Sequence, residues 1–249
     1  MAYFDKRWVG VFNYNFRRRF RHDLSKLERA VEYTLSTSPD VAICTGDLTS
    51  AGQPGEFERV KKVLEPLRNS GIPLVYMPGN HDCYVKRPKC VKAVNDAVEY
   101  LSCGDYQFAD MPFVRSYCGV EFILVNCSRP SNLLCSWGFL LKNDAKFIVD
   151  HCKSAKNGPR VLLSHYPMQE ESPILRVRHR LFGQKPILKL MKNGDIDLVL
   201  CGHVHYPSCK VDDMGHGESI AGSVTRNGSL SEIDVDVENN RFSFKYVSL

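Results

Sequence analysis

VAICTGDLTS (41–50) holds a pattern that the rest of the chain repeats: a short apolar run that empties into a glycine and a carboxylate, Gly46-Asp47. PLVYMP (73–78) runs into Gly79-Asn80-His81-Asp82. RVLLS (160–164) ends on His165, and DLVLC (197–201) ends on Gly202-His203-Val204-His205. Short apolar runs bounded by turn residues read as strands. Between them the period changes. Leu24, Leu27, Val31 and Leu35 stand three or four apart, with Asp23 as an N-cap and Pro39 as a stop, so 24–37 reads as an amphipathic helix. Further helices are expected over 55–69, 88–101, 142–155 and 185–193, and a strand over EFILVN (121–126). The stretch from 102 to 120 reads as irregular. Beyond residue 205 the period becomes two: SIAGSVT, SLSEIDVDVE and RFSFKYVSL read as sequential antiparallel strands, with turns at Asn227-Gly228 and Asn239-Asn240. Strand and helix in alternation, then a run of strands, is an α/β pattern. With no repeat, low-complexity tract or linker, residues 1–249 read as one domain.

Composition narrows the function classes. Of 249 residues, 43% are hydrophobic and 24% charged, which excludes disordered, collagen-like and coiled-coil chains. No uncharged apolar run reaches the roughly 18 residues of a membrane-spanning helix, and the first twenty residues lack the apolar core of a signal peptide. The ten cysteines form no CxxC, and Cys44, Cys127 and Cys201 lie in or beside apolar runs. They read as buried reduced thiols, and the expected location is cytoplasmic. The net charge of +5 is concentrated in residues 1–30, where eight Lys or Arg face three acids. The remainder is neutral, so the chain as a whole is no polyelectrolyte binder.

The four strand ends carry metal-ligand side chains: Asp47; Asn80, His81 and Asp82; His165; His203 and His205. In α/β sheets ligands bind at the carboxyl ends of strands, so four strands paired in parallel would bring these clusters to one rim. A single one of these histidines would carry little; the ordered set points to a metal centre. Imidazole, carboxylate and amide oxygen together suit Zn, Mn or Fe rather than Ca.

GDLTS, GNHD, SH and GHVH, in this order and spacing, resemble the calcineurin-like metallophosphoesterases. The resemblance implies two packed mixed β-sheets flanked by helices, and metal-dependent hydrolysis of a phosphomonoester or phosphodiester by a metal-bridging hydroxide. It implies two divalent ions: Asp47 bridging them, Asn80, His165 and His203 holding one, and His205 holding the other. His81 would be the general acid or charge stabiliser, with Asp82 orienting its ring.

One part of the family pattern has no counterpart here: an earlier strand ending in Asp-x-His. His22 follows Arg21 and precedes Asp23, and Asp5 has no histidine two residues on. By residue count the site of Asp47, Asn80, His165 and His203 is complete, while the other keeps only Asp47 and His205. The favoured expectation is a start downstream of the true one, so that the N-terminal strand is missing. The alternative is a degenerate, catalytically impaired binding module. A nuclease of the same fold is a third reading, against which the neutral bulk of the chain argues.

Within the basic aromatic segment 1–23, FNYNFRRRFRH (12–22) interleaves four aromatics with Arg17, Arg18, Arg19 and Arg21. A solvated basic face is the plainest reading. An anionic membrane surface or lipid headgroup comes next, placing the protein at the inner face of a membrane, and nucleic acid last. Arg176, Arg178, His179 and Arg180 form a second cluster between two ligand-bearing strands, where a loop could reach over the site and its arginines grip phosphate, although a plain surface helix fits at least as well.

Overall fold

The computed structural model describes residues 23–130, 136–169 and 179–249. The basic segment with Arg17, Arg18, Arg19 and Arg21, together with Asp5, His22, Arg176 and Arg178, lies outside the described residues.

In chain order the elements are α1 (Leu24–Thr37), β1 (Ala42–Cys44), α2 (Pro54–Arg68), β2 (Leu74–Tyr76), α3 (Pro88–Leu101), β3 (Phe113–Tyr117), β4 (Val120–Leu124) and β5 (Gly138–Phe139). Then come α4 (Lys142–Cys152), β6 (Arg160–Leu163), β7 (Leu181–Phe182), α5 (Lys185–Asn193), β8 (Leu198–Cys201), β9 (Ser208–Val211), β10 (Gly217–Ile220), α6 (Val224–Asn227), β11 (Ser229–Asp236) and β12 (Arg241–Ser248). Asp23 does cap α1, accepting from the Ser25 backbone N–H at 2.9 Å. Pro54 opens α2, where a missing N–H costs nothing.

A six-stranded mixed sheet runs β3-β4-β6-β8-β10-β9. Its interior pairs are parallel, and β3 and β9 close the edges antiparallel. Strand alternation splits its side chains between two cores. Phe122, Leu124, Val161, Leu163, Leu198 and Leu200 face a layer that includes α2, α3 and β2, while Ile123, Leu162 and Val199 pack with Ile148 of α4 and Ile187 of α5. Being covered on both faces is why these strands read as unbroken apolar runs.

The four ligand-bearing strands do not share one sheet. β6 and β8 are neighbours in the large sheet, whereas β1 and β2 form a separate parallel pair, Ala42 opposite Leu74 and Cys44 opposite Tyr76. Packing across the first core, not strand pairing, brings the two sets together. β11 and β12 form an antiparallel hairpin that turns at Asn239-Asn240, as expected. SIAGSVT departs from its reading: only Ser219 and Ile220 are strand, paired parallel to β8, and Val224–Asn227 is a single helical turn. Gly228 there ends a helix at φ 70° instead of turning a hairpin. The supposedly irregular stretch supplies edge strand β3. Among the described residues, no helix is long and apolar enough to cross a membrane.

Candidate metal centre

The turns after β1 and β2 interlock backbone against backbone. Gly46 has φ 105°, and a Cβ there would stand 2.5 Å from the Gly79 nitrogen and 2.6 Å from the Met77 carbonyl oxygen. Asp47 and His203 themselves sit at φ 61° and 65°. A non-glycine residue held there costs about 1–3 kcal/mol, a strain that clusters at functional sites.

Two carboxylates fix the loop that carries Asp47. Asp82, 2% exposed, accepts from the backbone N–H groups of Asp47 (2.8 Å), Thr49 (2.9 Å) and Gly79 (2.9 Å) and from the Thr49 hydroxyl (2.9 Å). Glu56 accepts from Ser50 and Ala51 at 3.1 and 3.2 Å. The His81 N–H then donates to Asp47 Oδ1 at 2.8 Å. The Asp82 carboxylate is therefore a clamp on the 47–49 backbone. The task of orienting the His81 ring, expected of Asp82, falls to the Ser50 carbonyl, 3.0 Å from His81 Nδ1. Burial, and then the neighbouring Asp47 charge, push the Asp82 carboxyl up to about 6, against the pull of its donors.

Four donor atoms converge. Asn80 Oδ1 lies 3.1 Å from His165 Nε2 and 2.8 Å from His203 Nδ1. His165 Nε2 lies 3.3 Å from His203 Nδ1 and 3.4 Å from Asp47 Oδ1. The Thr45 carbonyl, 2.6 Å from His165 Nδ1, can only accept, so the hydrogen of a neutral His165 ring sits on Nδ1 and the Nε2 lone pair faces the others. Asp47, His165 and His203 form the group of metal-capable side chains found among the described residues.

The charges suit a cation. Burial would raise the Asp47 carboxyl, but His165 and then His81 hold it well below the usual carboxylate range, so it is an anion. Burial, then the neighbouring His165, hold His203 well below the ordinary imidazole value, so it is neutral. Burial alone would lower His165, yet the Asp47 charge carries it upward, which marks a place where positive charge is favoured. Four atoms that act as acceptors when bound to metal, packed this closely in a buried pocket, fit a divalent cation.

Of the residues singled out from sequence, Asp47, Asn80, His165 and His203 are brought together, and His81 and Asp82 lie against them. His205 does not join the group; it is half-buried, and its carbonyl accepts from the Asn227 side chain at 2.7 Å. Sequence reasoning missed Thr45 and Ser50, which act through backbone carbonyls and leave no side-chain signal. It also missed Tyr166, whose ring lies 4.3 Å centroid to centroid from His203, and Glu218, a buried carboxylate accepting from the Met168 N–H at 2.5 Å just past His165. His179, which sequence groups with Arg176, Arg178 and Arg180, sets its Nδ1 2.7 Å from His203 Nε2.

A cAMP/cGMP dual specificity phosphodiesterase of Mycobacterium tuberculosis is 23% identical over 68% of this chain and 49% of its own length. A glycerophosphodiester phosphodiesterase of Enterobacter lignolyticus is 25% identical over 69% of this chain and 58% of its own. The chain thus spans about half the length of these curated relatives. Among solved structures, a dimetal phosphatase of Danio rerio superposes with a TM-score of 0.61 at 14% identity, covering 90% of this chain and 82% of that one, a likeness of fold. The profile of the calcineurin-like phosphoesterases matches residues 21–207, so the chain belongs to that family.

Proposed function

We propose that this chain is a metal-dependent phosphoesterase whose complete cation site consists of Asp47, Asn80, His165 and His203. The observation that carries this reading is the cluster of four donor atoms 2.8–3.4 Å from their neighbours. Family membership implies divalent metals; the ligand chemistry favours manganese, iron or zinc. When bound, such ions polarise phosphoryl oxygen and make water nucleophilic near neutral pH.

The chain's own residues supply position and proton. Asp47, held by the His81 N–H and by the clamp of Asp82 on its loop, presents an anionic carboxylate, with a second oxygen to share with another ion. His205 would serve that second ion, a role supported by the GHVH motif alone. With Nδ1 donating to Ser50, Nε2 is the nitrogen that would pass a proton to the leaving oxygen when the ring is in its imidazolium form.

Phosphodiesters are the favoured substrates, because both relatives described above are named for phosphodiester hydrolysis. A reducing, cytoplasmic setting suits the nine described cysteines, all free thiols. For Arg17, Arg18, Arg19 and Arg21 a solvated basic face stays the plainest reading, with an anionic lipid surface or headgroup second.

The test is metal analysis of the purified protein together with turnover of bis(nitrophenyl) phosphate and nitrophenyl phosphate, before and after chelation. Diester turnover that chelation abolishes and manganese or zinc restores is expected. Metal uptake without turnover would favour the binding-module reading. Turnover indifferent to chelation would overturn the metal-dependent one.

A further inference from the structure

We propose that His179 is a positioning residue: its imidazole holds His203 in the tautomer that turns the Nδ1 lone pair into the metal centre. This rests on the metal-site reading given above.

The three histidines of the site are held differently. His165 and His81 each set Nδ1 against a backbone carbonyl, of Thr45 and Ser50. A carbonyl only accepts, so those neutral rings have one choice of tautomer. His203 instead sets its outer nitrogen, Nε2, 2.7 Å from Nδ1 of another imidazole. One of those two nitrogens carries the hydrogen and the other accepts it.

The direction of that bond decides whether the centre is open. If His203 Nε2 donates to His179 Nδ1, then Nδ1 of His203 is bare and faces Asn80 Oδ1 and His165 Nε2 as a ligand atom. If His179 donates, the hydrogen of His203 sits on Nδ1, points at Asn80 Oδ1 at 2.8 Å and closes the centre. Ligating histidines almost always donate their other N–H to a fixed acceptor, which sets ring angle and basicity. Here that acceptor is an imidazole.

His179 is not itself a further ligand of the same ion. Its Nδ1 lies 2.7 Å, a hydrogen-bond distance, from Nε2 of His203, whereas the His203 nitrogen that faces Asn80 and His165 is Nδ1. The residue is also well anchored. The next residue, Arg180, accepts from the Gly138 N–H at 2.9 Å, and Leu181 of β7 is 3% exposed. Gly138 in turn lies against the Tyr166 ring, so β5 and β7 hold His179 on one side of His203 while Tyr166 packs beside it.

Zinc is the probe. Its affinity should be measured by calorimetry for the parent chain, His179→Ala and His179→Asn, with melting temperatures of the metal-free proteins alongside. His179→Ala should weaken zinc about 10–100-fold with little change in melting temperature. His179→Asn places an amide oxygen near the lost Nδ1 and should recover most of that affinity. In ¹⁵N-histidine spectra of the zinc-loaded parent, the hydrogen of His203 should sit on Nε2. Zinc bound equally by parent and His179→Ala, an Asn variant as weak as Ala, or the hydrogen on Nδ1 would each overturn the role of His179 and leave the centre standing. A parent chain that takes up no zinc would overturn the centre as well.

Discussion

The Asp47 carboxylate occupies the place where a side chain on Gly79 would begin. A Cβ on Gly79 would meet Asp47 Oδ1, stand 2.5 Å from the Asp47 nitrogen and 2.7 Å from Cε1 of His165. The nearest obstacles include backbone and the side chains of Asp47 and of His165, which is 1% exposed and has nowhere to retreat. Gly79→Ala should therefore displace the ligands and cost about 1–3 kcal/mol of stability. Zinc titration and a denaturant melt check this; a variant that binds zinc like the parent would show the centre to be more pliant than its packing implies.

His203→Ala should abolish tight metal uptake, because it removes one of four donors and leaves Asn80 Oδ1 without its 2.8 Å neighbour. His216→Ala is the matched control: that ring bonds the Asn240 carbonyl at 2.7 Å, in the turn between β11 and β12. Equal metal content in the two variants would remove His203 from the ligand set.

His81→Ala should retain metal and lose rate, by about 10²–10⁴-fold if the ring is the general acid. The loss should shrink for nitrophenolate leaving groups, which depart without a proton. A uniform loss across leaving groups would assign His81 to charge stabilisation in the transition state.

Arg160, 2% exposed, donates to Glu121 at 2.6 Å and to the carbonyls of Cys152, Ser154 and Ala155 at 3.2–3.3 Å. Arg160→Ala strands three acceptors where α4 ends and should cost about 2–4 kcal/mol, short of the full figure for a buried pair because Glu121 is partly exposed. Burial would raise the Glu121 carboxyl, but the His151 ring, with Nε2 at 2.9 Å, and then Arg160 hold it below its ordinary value. A carboxyl depressed in the folded state contributes stability above its unfolded value and loses it as pH falls through the folded one. The variant should therefore lose less stability than the parent on acidification through about pH 5 to 3, read from melts across that range.

Thiol alkylation of the native protein should begin at Cys103, Cys118 and Cys209, which are exposed. Burial pushes the Cys44 and Cys127 thiols up to about 12 and holds Cys201 well above the ordinary thiol value, so the fully buried Cys127 and Cys201 should react only on unfolding. Peptide mass spectrometry gives the order, and early labelling of Cys127 would show that the second core opens readily.

Local chemistry determined a good deal. The helices over 24–37, 88–101 and 185–193 and the strands before Asp47, Asn80, His165 and His203 were legible because period and capping act within a few residues. The same locality explains the misreading at Asn227-Gly228, since a glycine at positive φ serves a hairpin and a helix end alike. Only the tertiary structure decided which ligands meet and what holds them. Asn80 reaches His165 and His203 across 85 and 123 positions, from a strand pair outside the sheet that carries the histidines. The ring partners Thr45 and Ser50 act through carbonyls every residue possesses. His179 meets His203 because β5 and β7 pair beside Tyr166, and side-chain periodicity within a segment holds no record of such long-range packing.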